Sequence, residues 1–141
     1  MSRSKSLARQ AAVQALYQWQ MAGGQAPRIA EQFTEQHYLD KAHKNYFMAL
    51  LNGVIEHHAT LDQAISPFIS RPLAQIDPVE RAILRLATYE LRFHPELPYR
   101  VVINESVTLA RTFGAEGSHK FINGILDKVA KNPPLDHDVT N

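Results

Sequence analysis

The chain contains no cysteine, which excludes a disulfide scaffold, thiolate zinc ligands and a cysteine nucleophile. It also lacks an apolar run near the roughly 20 residues that a helix needs to cross a bilayer. No apolar segment follows the basic N-terminus, as it would in a secretory signal. We therefore expect a cytoplasmic protein with no membrane association.

The motifs of common enzyme classes are missing as well. There is no Walker A motif, no GxGxxG, no HExxH and no GxSxG. His37, His43, His57 and His58 form no recognisable metal-ligand motif, and the neighbours His57 and His58 point to different helix faces. We expect no catalytic residue, no metal, no cofactor and no small-molecule substrate.

Acidic residues are absent from the first 30 positions, although the net charge of the whole chain is only +1. The same segment carries four basic residues: Arg3, Lys5, Arg9 and Arg28. A basic arm on a nearly neutral body indicates a local contact with an anion. The alternative interpretation is the solvated first turn of a helix.

Apolar residues recur at helical spacing almost throughout, so we predict an all-α fold. Glycine, proline and capping residues divide the chain into about seven helices, at about 4–22, 28–37, 41–57, 60–69, 78–94, 99–113 and 118–131. The 141 residues fit one domain at 1–132, with packed halves at about 1–72 and 73–132 that meet near Ser70–Asp77. The polar, proline-bearing tail 133–141 is predicted to be disordered.

The first predicted helix places a tyrosine on its polar face. Ala8, Ala12, Leu16 and Trp19 form the apolar stripe, and Tyr17 points nearly opposite Trp19. An aromatic ring there can stack on a base or donate its hydroxyl across a protein interface. The alternative is a lone surface aromatic residue, which is common.

The fifth predicted helix carries charged residues on both faces. Arg81, Arg85 and Arg92 form a stripe that could grip phosphates or an acidic partner, or simply be solvated. Glu90 lies within the apolar arc and must be paired there, so we interpret it as structural. Glu80 lies at the rim of the arc, where a carboxylate can meet a partner protein.

The seventh predicted helix begins after a loop that contains Gly114 and Gly117, with Ser118 as its expected N-cap. Backbone N–H groups at such a start, with the charge of Lys120, are suited to an anion. Phe121 adds a surface on which single-stranded RNA can stack. A plain capped helix is the alternative.

Three segments carry a resemblance to a known family. They are Ala8–Gln20 (ARQAAVQALYQWQ), Glu80–Arg85 (ERAILR) with YEL at 89–91, and Ser118–Asp127 (SHKFINGILD). In this order and spacing they resemble the NusB family of bacterial transcription antitermination proteins, over about 8–131. The resemblance implies an all-α fold of two three-helix halves without catalytic activity.

The resemblance also implies partners and contact residues. It implies a heterodimer with the small-subunit ribosomal protein NusE that binds the boxA element of ribosomal RNA operons. That pair would join NusA, NusG and RNA polymerase and suppress premature termination. The implied RNA contacts are Arg3, Lys5, Arg9, Lys120, Phe121 and Asn123. The implied contacts with NusE are Tyr17 and Glu80.

Two other classes of protein remain as alternatives. The same helical fold serves as the N-terminal RNA-targeting domain of ribosomal RNA cytosine methyltransferases. Such an enzyme needs a dinucleotide-type fold for its methyl donor, and we expect none here because a polar tail ends the chain. A helical scaffold that binds only proteins is the second alternative, and salt-dependent RNA binding would distinguish it.

Overall fold

A computed structural model describes residues 3–37 and 40–133, and all regular structure in these residues is helical. The α-helices are α1 (Arg3–Ala22), α2 (Ala26–His37), α3 (Lys41–Ile65), α4 (Pro78–Phe93), α5 (Tyr99–Phe113) and α6 (Ser118–Lys131). Two 3₁₀ turns, Ser66–Phe68 and Leu73–Gln75, lie in the connection between α3 and α4. The predicted all-α fold is confirmed.

The helix ends follow from local chemistry. The Asp40 carboxylate accepts a hydrogen bond from the backbone N–H of His43 and so caps α3. Asp77 caps α4 in the same way, and Pro78 occupies the first turn, where a missing N–H costs nothing. Asp40 and Asp77 thus fix where α3 and α4 start.

The predicted third and fourth helices are one continuous helix, α3, so the described residues contain six α-helices rather than seven. No glycine or proline interrupts residues 54–65. The buried stripe of Val54, Leu61 and Ile65 also keeps its helical spacing across the expected break. A break there would have exposed that stripe to water.

Helix α4 lies at the centre of the fold. It packs against α1, α3, α5 and α6. Gly53 allows α3 to approach it closely, because a Cβ atom there would lie 2.2 Å from the Tyr89 ring. Residues of all six helices thus contribute to one apolar core.

Two predictions, the division into halves and the disordered tail, stay predictions. The division into halves at 1–72 and 73–132 stays a prediction about folding units. Residues 134–141 lie outside the described residues, and with them nearly all of the predicted tail. None of the helices in the described ranges has the length and apolarity that a membrane span requires.

Candidate RNA and partner-protein surfaces

A buried cluster of charged and polar side chains surrounds Arg9. Its Nε and Nη2 atoms donate to the carboxylate of Glu90, with the shortest contact at 2.7 Å, and Nη1 donates to Glu105 at 2.9 Å. The guanidinium carbon also lies 5.8 Å from the centre of the Tyr46 ring. Arg9 is only 1% exposed. Arg9 therefore joins α1 to α4 and α5 through these pairs, and its expected phosphate contact stays a prediction.

Burial and pairing together set the pKa values in this cluster. Burial raises the pKa of the Tyr46 phenol, and so does the hydrogen bond of 2.5 Å that its hydroxyl donates to Glu90. Burial alone would lower the pKa of Arg9, but the hydrogen bonds and charge of Glu90 raise it above its ordinary value. The neutral phenol and the charged guanidinium are thus the stabilised forms. The interpretation of Glu90 as a paired structural carboxylate agrees with this geometry.

The rest of the basic arm precedes Arg9 on α1. The Nζ atom of Lys5 lies 5.3 Å from the centre of the Tyr46 ring, and the side chain is half-buried. Ser6 donates a hydrogen bond of 2.5 Å to Glu105. Arg3 begins α1, and its side chain lies outside the described residues. Contacts of Ser6 and Arg9 with Glu90 and Glu105 therefore hold the first turns of α1 in place. The same turns carry Arg3 and Lys5.

The first turn of α6 differs from the expected capped helix. Gly117 is the N-cap of α6. Its φ of 83° is a left-handed conformation that favours glycine. Ser118 is not the N-cap: it is buried and donates a hydrogen bond of 2.5 Å to Glu80. Lys120 and Asn123 are exposed, whereas Phe121 is half-buried against the core. The exposed cation and amide flank an aromatic ring that is partly accessible.

The two groups of expected RNA contacts lie at opposite ends of α4. Arg9 contacts Glu90 near the C-terminal end of α4, and Ser118 contacts Glu80 near its N-terminal end. Ten residues separate these levels, or about 15 Å at 1.5 Å per residue. A ligand that touches both groups must therefore extend about 15 Å along α4.

The residues expected at the partner surface lie toward the N-terminal end of α4. The side chain of Gln20 donates to the carbonyl oxygen of Pro78 at 2.8 Å, so the end of α1 lies beside the start of α4. Tyr17, one turn before Gln20, is 41% exposed. Glu80 is half-buried and accepts the hydrogen bond from Ser118. The partner surface thus adjoins the first turn of α6.

The arginine stripe of α4 is half-buried and packs against neighbouring elements of the fold. Arg85 forms a two-bond pair with Asp62 of α3 at 2.8 Å, and Arg81 donates to the carbonyl of Ala74 at 3.0 Å. Arg92 approaches the carbonyl of Thr60. These contacts favour a structural role for the stripe over a phosphate site.

The sequence interpretation missed the partners of Glu90. Arg9 lies about 20° from Leu16 on the helical wheel, at the edge of the apolar stripe of α1. A basic residue in that position was the indication that it pairs with the buried carboxylate. Tyr46 and Glu105 carried no comparable indication, since their proximity depends on how α3 and α5 pack. No group of His, Asp or Glu in the described ranges is arranged to hold a metal ion.

Comparison with known proteins places these surfaces in context. The sequence model of the NusB family matches residues 6–131. The transcription antitermination protein NusB of Shewanella pealeana is 49% identical over 126 residues, which cover 89% of this chain and 93% of that protein. NusB of Nitrosococcus oceani is 49% identical over 131 residues, which cover 93% of this chain and 88% of that protein.

Solved structures show the same similarity. The structure of T. maritima NusB aligns with a TM-score of 0.87 and 31% identity over 100% of both chains. A crystal structure of the antitermination factors NusB and NusE in complex with double-stranded RNA aligns with a TM-score of 0.86 and 27% identity. That alignment covers 93% of this chain and 98% of the other.

Proposed function

The chain belongs to the NusB family, and we propose that it is a transcription antitermination factor that binds boxA RNA as a heterodimer with NusE. The observation that supports this most directly is its alignment over 93% of its length with a chain from a complex of NusB, NusE and RNA. Together with NusA and NusG, the heterodimer helps RNA polymerase in the cytoplasm to pass termination sites in ribosomal RNA operons. Its role is binding, without catalysis.

The first proposed RNA surface is the exposed start of α6. Lys120 supplies a positive charge for a phosphate, Asn123 supplies an amide for a base edge, and Phe121 supplies an aromatic ring. This combination of cation, amide and ring is typical of single-stranded RNA recognition. The second proposed surface is the start of α1, with Arg3 and Lys5. Arg9 supports this surface from within the fold.

The spacing of these surfaces limits the ligand. Ser118 and Arg9, which mark the two surfaces, contact levels of α4 that are about 15 Å apart, so no single phosphate or base reaches both surfaces. A single-stranded RNA segment of several nucleotides is long enough to reach both surfaces. This requirement fits an RNA element better than a nucleotide or a small anion.

The proposed NusE surface contains Tyr17 and Glu80. Tyr17 presents an exposed ring from α1, and the Glu80 carboxylate is held by Ser118 at the first turn of α6. Lys120 lies only two residues after Ser118. Binding of NusE at Glu80 therefore takes place directly beside the proposed RNA contacts, which gives a physical route to cooperative binding of protein and RNA.

Titration of boxA RNA and of a scrambled RNA, with the protein alone and with NusE, tests the proposal. We expect salt-dependent binding of both RNAs by the protein alone, and a clear preference for boxA when NusE is present. A complex with NusE that binds neither RNA would contradict the proposal and favour a scaffold that binds only proteins.

Phe121 provides a test at one residue. Replacement by Ala should cost about 1–3 kcal/mol in RNA binding through lost stacking. Because the ring is half-buried against the core, the free energy of unfolding should fall as well. Phe121→Leu keeps apolar packing but not the aromatic face, so it should bind RNA weakly while unfolding almost like the wild type. Normal RNA affinity in Phe121→Leu would make the ring a purely structural element.

A further inference from the structure

An open cleft of about 310 Å³ lies between the first turns of α5 and the outer face of α6. Helix α5 contributes Tyr99, Arg100 and Asn104, and α6 contributes Asn123, Asp127 and Lys131. The apolar side chain of Ile103 also lines the cleft. Neither the expected RNA contacts nor the expected NusE contacts account for this cleft, apart from Asn123.

The cleft continues a stripe that begins in the proposed RNA surface. Lys120, Asn123, Asp127 and Lys131 follow one another at intervals of three and four residues, so they share one face of α6. The stripe extends about 17 Å from Lys120 to Lys131. RNA that contacts Lys120 and Asn123 therefore meets the cleft if it continues along this helix.

The far end of the stripe points toward the start of α1. Only residues 94–98 separate α5 from the C-terminal end of α4, where Glu90 holds Arg9. Glu105, six residues after Tyr99, also contacts Ser6 and Arg9 of α1. The cleft thus lies toward the end of the molecule that carries Lys5, and α6 connects it to the opposite end, which carries Lys120.

The groups in the cleft match the parts of a nucleotide. The Tyr99 ring is 41% exposed, and the Arg100 guanidinium carbon lies 5.8 Å from its centre while Nε donates to the phenol oxygen at 3.3 Å. An exposed ring beside a guanidinium offers a stacking surface and a phosphate contact together. The negative charge of Asp127 is offset by Lys131, at 3.0 Å.

We propose that this cleft binds one nucleotide of the single-stranded RNA that runs along α6, with its base stacked on Tyr99. The amides of Asn104 and Asn123 face the edge of the base, and Arg100 and Lys131 contact the flanking phosphates. The inference rests on the proposed RNA-binding function and adds a nucleotide subsite between the two proposed RNA surfaces.

The central experiment measures the RNA affinity of the Tyr99→Ala variant. The full chain, in complex with NusE, is titrated with boxA RNA that carries flanking nucleotides on both sides. We expect the affinity to fall about 5- to 150-fold, the range for the loss of one stacked base. Phe93→Ala is the matched control, because Phe93 is also 41% exposed but does not line the cleft. Its RNA affinity should equal that of the wild type.

Arg100→Gln tests the phosphate contact. The slope of log affinity against log salt should fall by about 0.7, the value for one contact with a single strand. Arg111→Gln removes an exposed arginine from the last turn of the same helix and should leave the slope unchanged. Shortening the RNA from each end should abolish the penalty of Tyr99→Ala once the RNA no longer reaches the cleft.

The outcomes separate this inference from the proposed function. If Lys120→Ala weakens RNA binding but Tyr99→Ala and Arg100→Gln do not, the cleft is no RNA subsite and the proposed function stands. An equal penalty of Tyr99→Ala on RNAs of every length would overturn the inference too, since the ring would then act through the fold. Loss of NusE affinity with normal RNA affinity would assign the cleft to protein binding. A wild-type complex that binds no RNA overturns both.

Discussion

Arg9 and Tyr17 lie about two turns apart on α1, and their exposure is the reverse of what their polarity suggests. The arginine is 1% exposed and the tyrosine is 41% exposed. Arg9 is buried because Glu90 and Glu105, on two other helices, satisfy its donors. Tyr17 projects from the polar face of the same helix. The comparison teaches that carboxylates inside the fold can bind a cation of a basic segment, so its position in the sequence does not by itself indicate an RNA contact.

Removing Arg9 should have the largest effect. Arg9→Ala leaves Glu90 buried without its main partner, and we expect the free energy of unfolding to fall by about 3–5 kcal/mol. Chemical denaturation measures this directly. The control is Lys131→Ala, which breaks the exposed pair with Asp127 and should cost less than about 1 kcal/mol. A stable Arg9→Ala protein that has lost RNA affinity would instead support a direct RNA contact by Arg9.

Changing Tyr17 should weaken binding without weakening the fold. Aromatic residues at interface centres are often worth about 2 kcal/mol or more of binding free energy. Because Tyr17→Asp also adds an unpaired charge, it should weaken NusE binding more than Tyr17→Ala does. Calorimetry with NusE measures the loss, and thermal unfolding should show little change. RNA binding by the isolated protein should be unaffected. If NusE binds normally and RNA does not, the two surfaces have been exchanged.

The stability of the protein at alkaline pH should report on Tyr46, which lies beside the buried Arg9. The pKa of Tyr46 is raised in the fold by burial and by Glu90, so the neutral phenol is the stabilised form. This stabilisation is complete below about pH 10, the ordinary tyrosine pKa, and is lost as the pH rises toward the raised value. Tyr46→Phe should cost only about 1.5 kcal/mol at pH 7, because Glu90 keeps Arg9. The variant should also lose part of the alkaline decline in stability, and an identical decline would contradict the assignment.

The smallest effect is expected at Lys120, which is exposed whereas Arg9 is buried. Lys120→Ala should lower the salt slope of RNA binding by about 0.7, and stability should stay near the wild-type value because the side chain is exposed. Lys44→Ala removes an exposed lysine from α3 and should leave the slope unchanged. Equal slopes in all three proteins would exclude a phosphate contact at Lys120.

The positions of most helices could be predicted because the causes are local. Asp77 with Pro78 marks the start of α4, and the prolines at 95 and 98 separate α4 from α5. The false break in α3 arose where no glycine or proline was present. At α6, the prediction that Ser118 caps the helix was wrong because the hydroxyl found Glu80, which is 38 residues away in sequence. A capping residue identified from the sequence is thus reliable only when no distant acceptor competes for it.

The sequence by itself determined the helical class, the family resemblance and the presence of a buried carboxylate in need of a partner. These depend on residue types at short spacing along one helix. Only the tertiary structure decided which cation meets Glu90, which end of α4 each proposed RNA surface occupies, and that α5 and α6 form a cleft. The physical reason is that hydrogen bonds and ion pairs act over a few ångströms, and packing brings together residues such as Arg9 and Glu90 that are 81 positions apart.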